Sequence, residues 1–173
     1  MAIDMNDVMK LMNNSGALGQ VAEMLGVDEK AANNAIDTVL PMLLKGMQGQ
    51  LNNKDTKDSF LQALSDHSKD DTDDLKKAVK NVDTVDGAKI VKHLLGAGQE
   101  EAAAKAKKKS GLDTKTILKI MAILAPILMS KMGKTAKTET AKSGSNDMVS
   151  IVGDLLDGVD AGDVIKIVSK LIK

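Results

Sequence analysis

Residues 37–47 read DTVLPMLLKGM. Their apolar residues recur at the three- and four-residue steps of a helix, yet Pro41 stands among them. A proline inside a helix removes one backbone donor, and its ring presses on the carbonyl four residues back, here that of Asp37. The chain has only 2 prolines, so the position of the other one matters. Residues 26–47, GVDEKAANNAIDTVLPMLLKGM, align without a gap on residues 111–132, GLDTKTILKIMAILAPILMSKM, with Gly26 set on Gly111. Asp28, Lys30, Pro41, Leu43 and Met47 then meet Asp113, Lys115, Pro126, Leu128 and Met132. The stripe of Ala32, Ile36, Val39, Leu40 and Leu44 falls on Ile117, Met121, Leu124, Ala125 and Met129, all apolar.

The simplest account is one supersecondary unit used twice. Gly26 and Gly111 supply the turn, and Asp28 and Asp113 cap the free N–H groups of the helix that follows. Pro41 and Pro126 are expected to kink or break the two long helices at the same place. The second copy adds Leu118, Ile120, Ile123 and Ile127 and is apolar nearly all round, which belongs in the middle of a bundle. The first copy carries Glu29, Lys30, Asn33, Asn34 and Asp37 on its other face, which predicts a peripheral position.

Shorter helices follow from the same spacing. One is expected over 20–25 and one over 100–109, each leading into a copy of the unit. Between the copies, one starts at Thr56 with Phe60, Leu61 and Leu64 inward, and one buries Leu75, Ala78 and Val79. A third buries Ile90, Val91, Leu94 and Leu95 and stops at Gly96. No stretch alternates apolar and polar for long, so no sheet is predicted. The fold class is all-α: a multi-helical bundle containing two similar helix-turn-helix units with proline-bent second helices, plus a small C-terminal helical hairpin. The expected division is a helical domain over 1–133, a flexible linker over 134–146 (KTAKTETAKSGSN) and a short amphipathic tail over 147–173. In the tail, Ile151, Val152, Leu155 and Leu156 share one helical face, and Val168, Leu171 and Ile172 share another. Such a hairpin is too short to be stable alone and must dock on its own domain, on a second copy or on a partner.

Composition narrows the functional classes. Formal net charge is +0 with 24 basic and 24 acidic residues, so no whole-molecule field draws in nucleic acid or an anionic membrane. Phe60 is the only aromatic residue, which leaves no stacking platform for single strands and few anchors of the usual interface type. With Cys 0, disulfides, thiolate catalysis and thiolate metal sites are excluded. The N-terminal MAIDMNDVMKLM lacks the pattern of a signal peptide. The uncharged apolar run of 120–130 is shorter than the roughly 20 residues a bilayer requires. A cytoplasmic protein with no transmembrane segment is the expectation.

The ordered run GVDEKAANNAIDTVLPMLLKGM, LQALSDH, DGAKIVKHLLG and SGLDTKTILKIMAILAPILMSKMG resembles the YidB-like bacterial proteins, over roughly residues 15–133. What the resemblance implies is an all-helical bacterial domain of unknown function, with no catalytic positions to carry over.

The remaining candidates are few. His67 and His93 are the only histidines, and each could act as a general base if a carboxylate and a nucleophile stood in reach. No Gly-x-Ser-x-Gly signature is present, and structural roles are the expectation for both. The aspartates of 66–74 and of DLLDGVDAGD lack the alternating ligands and the closing glutamate of a calcium loop, so neither metal nor cofactor is expected. The main expectation is a non-enzymatic protein-protein interaction or self-associating module, with the tail residues named above as the partner contact. The alternative is DNA binding through helix-turn-helix-like units at 20–38 and 105–123, aided by Lys107, Lys108 and Lys109. The few basic residues on the would-be recognition helices make nucleic acid the weaker expectation.

Overall fold

The computed structural model describes residues 5–143 and 148–157. They form nine helices: α1 (Met5–Asn14), α2 (Ala17–Leu25), α3 (Glu29–Asn52), α4 (Lys57–His67), α5 (Leu75–Asn81), α6 (Thr84–Leu95), α7 (Gly98–Ser110), α8 (Thr114–Ser143) and α9 (Met148–Asp157). No strand occurs among the described residues, so the molecule is all-α.

Two long helices organise the rest. From Ile120 to Ser130 every residue of α8 is buried, as its all-round apolar sequence requires, and α2 to α7 and α9 all pack on it. The outer-face residues of α3 predicted a peripheral helix, but α3 packs on α2, α4, α6, α7, α8 and α9 and is nearly as central. The reason is local. Only Glu29 and Lys30 of that polar set are exposed, while Asn33, Asn34 and Asp37 are half-buried. Asn33 donates from Nδ2 to Asp37 Oδ2 at 3.3 Å, and Thr38 Oγ1 donates to the Asn34 carbonyl at 2.9 Å.

Both prolines lie inside continuous helices, Pro41 in α3 and Pro126 in α8, so neither breaks its helix. Pro126 leaves the Ala122 carbonyl without its i+4 donor. The backbone of α6 packs against that same carbonyl: a Cβ added at Gly87 would collide with it. A second glycine contact joins α8 to α4, where a Cβ on Gly133 would strike the Leu64 carbonyl. Small residues let these backbones approach within a distance that no side chain permits.

The turns use the chemistry predicted for them. Gly26 and Gly111 adopt φ of 64° and 74°, the left-handed region that favours glycine. Asp28 accepts from the Ala31 N–H at 3.2 Å, and Asp113 from the Thr116 N–H at 2.7 Å. That last bond, made to the ionised form, holds the Asp113 carboxyl below its ordinary range.

Residues 134–143, expected to be linker, are helical and continue α8. Ala136 is fully buried, Lys137 Nζ donates to the Ser65 carbonyl at 3.2 Å, and Lys134 pairs with Asp73 at 3.2 Å. The hydroxyls of Thr135, Thr138 and Thr140 bond back to carbonyls four residues earlier at 2.9, 3.0 and 2.7 Å. A stretch without large apolar residues is thus held in place by one alanine and by polar ties. The continuous helix Thr114–Lys142 is also long and apolar enough to cross a bilayer, unlike the shorter run counted from sequence. However, 78% of its apolar window is buried inside the molecule, the pattern of a core helix.

Candidate functional site

The tail was the leading candidate. α9 packs against α3 and α8, and Val152 and Leu156 are both fully buried, with Gly153 facing Leu51. Ile151 is half-buried at the edge of the same interface, and Leu155 lies on the same helix. The apolar face read as a partner contact is therefore engaged within the chain for its first half. Val168, Leu171 and Ile172 lie outside the described residues.

The two histidines occupy separate clefts. His67 closes α4 and lines a cleft of ≈ 390 Å³ between the α4–α5 connection, α5, α6 and α8. Its Nδ1 stands 2.7 Å from Asp70 Oδ2, and its Nε2 faces Asp86 Oδ2 at 3.6 Å. The connection is fixed from below: Thr72 and Ser130, both buried, share a hydrogen bond of 2.9 Å, and Ser130 Oγ also donates to the Asp70 carbonyl at 3.4 Å. His67 thus pairs with Asp70 and stands beside Asp86 in the first turn of α6. The one lining hydroxyl, on Thr72, is committed to Ser130, so the cleft offers the imidazole no uncommitted hydroxyl.

His93 lies near the end of α6 and lines a cleft of ≈ 360 Å³ with Ser59, Asp55 and Thr56 over an apolar floor. Neither cleft brings both histidines to one serine. Among the described residues, no group of three or more His, Asp or Glu side chains is arranged to hold a metal ion.

The helix-turn-helix candidates correspond to α2–α3 and α7–α8. In the second would-be recognition helix, Ile117 and Ile120–Ile123 are buried, while Thr114, Lys115 and Lys119 at its start are exposed. Lys107, Lys108 and Lys109 are exposed at the end of α7, where they favour that helix's carbonyl end. Lys109 is also close enough to Asp37 to draw its carboxyl down, although burial, the larger effect, raises it above the ordinary value.

Sequence reasoning missed a third concavity. α1, for which no helix was predicted, sets Leu11 and Met12 beside Leu40 of α3 and Leu124, Leu128 and Met132 of α8 around a groove of ≈ 200 Å³. Leu11 remains 49% exposed there. The signal was present in the spacing of Val8, Leu11 and Met12, ahead of the Gly16 turn.

The model of the family described as bacterial protein of unknown function (DUF937) matches residues 7–135, and the chain belongs to that family. No curated protein and no solved structure matches it.

Proposed function

We propose that this DUF937 member is a non-enzymatic helical interaction module that associates through the end of its chain, with a second copy or a protein partner. The observation that carries this reading is the anchoring of α9. Val152 and Leu156, buried against α3 and α8, seat the first half of the tail on the bundle, and residues 158–173 follow it in the sequence. The spacing of Val168, Leu171 and Ile172, with Lys166 ahead of them and Lys170 between them, is that of an amphipathic segment needing a surface. The apolar groove at Leu11 offers a receiving surface of matching character for self-association.

Truncation after Asp157 tests this and keeps every described core residue. The expected result is a lower mass in solution or loss of co-purifying proteins, reversed by restoring 158–173. Unchanged mass together with unchanged partners overturns the proposal.

A second reading, DNA binding, rests on the exposed Lys107–Lys109 run. It requires duplex binding that weakens steeply with salt and falls when the three lysines become alanine. Absence of retention on heparin at low salt counts against it.

We also read units 26–47 and 111–132 as a duplicated element with bent second helices. The left-handed glycines, the aspartate caps and the aligned prolines support this.

A further inference from the structure

The cleft at His93 is built from three helices whose ends are tied together by one residue. Gln50, near the end of α3, donates from Nε2 to the His93 carbonyl of α6 at 2.9 Å. Its own carbonyl accepts from Thr56 Oγ1, the residue that opens α4, at 3.0 Å. These bonds set a polar rim over an apolar floor of Phe60, Ile90, Leu94 and Met129. Phe60, Leu94 and Met129 are at most 8% exposed, so the floor is part of the packed interior and is preformed.

The rim is one-sided in its chemistry. Asp55 is the only carboxylate in the lining, no lysine lines the cleft, and the Asp55 carboxylate has no ion pair among the described residues. The Ser59 hydroxyl and the His93 ring likewise make no hydrogen bond among the described residues. The Thr56 hydroxyl has spent its proton on Gln50, so only its lone pairs face outward. The mouth therefore presents one anion, acceptor atoms on Thr56, Ser59 and the His93 ring, and donors on Ser59, His93 and Gln50, above an apolar floor.

We infer that this cleft binds a small primary amine with an apolar body, its ammonium group at Asp55 and its hydrocarbon part over Phe60 and Met129. A primary ammonium has three donors and one positive charge, which match the acceptors and the single carboxylate of the rim. A carboxylate ligand would meet Asp55 as a like charge. At ≈ 360 Å³ the space sits at the small end of ligand sites and takes roughly ten non-hydrogen atoms, at about 30 Å³ for each.

The single aromatic residue makes the test direct. The full chain labelled with 4-fluorophenylalanine gives one fluorine signal, from the floor of this cleft. Titration with hexylammonium should shift it saturably, with hexanoate weaker by about tenfold or more. Asp55→Asn should weaken hexylammonium by about fivefold or more, and Asp58→Asn, outside the cleft, should leave it unchanged. The same titration of unfluorinated protein, followed at the Met129 methyl carbon, guards against an effect of the label. No saturable shift by either probe, equal binding of hexanoate, or full affinity in Asp55→Asn overturns the assignment.

Discussion

Gly87 and Gly133 each meet a carbonyl oxygen where any side chain would collide. Replacement by alanine must push α6 or α4 away from α8, and overpacking of this kind costs about 1–3 kcal/mol or more. Thermal unfolding of Gly87→Ala and Gly133→Ala should show large losses, while Gly49→Ala, where nothing stands within 4 Å, should be neutral or slightly stabilising. Two aspartates respond to pH in opposite senses. Asp113, held below its ordinary range by the Thr116 N–H, stabilises the fold above its unfolded pKa, and that contribution is lost as pH falls through the lower folded value. Asp37, raised by burial, opposes folding above its folded pKa, and the opposition is relieved as pH falls. Asp37→Asn should therefore be no less stable than the parent at pH 7 and should steepen the acid limb in pH-dependent melts, because the relief that Asp37 gains on protonation is gone. The caps themselves were legible in the sequence, since Asp after a turn glycine has few other uses. The collisions at Gly87 and Gly133 were not, because a glycine within a helix gives no sign of which backbone will approach it.

At the scale of elements, the long apolar helices and their proline positions could be read directly, because large side chains at helical spacing leave little choice. Three things could not. The first was α1, whose short pattern fell in a stretch weighed only as a signal peptide. The second was the extension of α8 through 134–143, whose stability comes from Ala136 and from lysines reaching Ser65 and Asp73. Long-range polar ties leave no periodic trace. Ala136→Asp should destabilise the protein by about 2 kcal/mol or more, since it buries a carboxylate at a fully enclosed position. Denaturant unfolding of that variant would measure it; an unchanged midpoint would show that this end of α8 contributes nothing. The third was the seat of α9. Its apolar face was plain, but whether it met its own domain or another molecule depends on complementary surface that only the folded chain supplies. For the same reason the sequence showed His67 and His93 without showing that they line different clefts.

For the molecule as a whole, buried residues continue past 133, to Ala136, Val152 and Leu156. A chain ending at 133 would strip Ala136, Val152 and Leu156 from the interior. The two larger residues alone bury about 1.5–3 kcal/mol each. It should unfold at a much lower temperature or fail to fold, whereas a chain ending at Asp157 should keep its helical circular dichroism and melt within a few degrees of the full protein. Equal stability of the two truncations would show that α9 adds nothing to the core.

The order of the helices also has a consequence for synthesis. α8, on which nearly every other element leans, emerges late: about 90 residues separate the end of α3 from the end of α8. At roughly 5–20 residues per second, the nascent chain carries the oily faces of α2 to α7 for several seconds before their common partner exists. The expected cost of building the keystone last is chaperone dependence during translation that disappears on refolding of the finished chain, which cell-free synthesis with and without chaperones would measure.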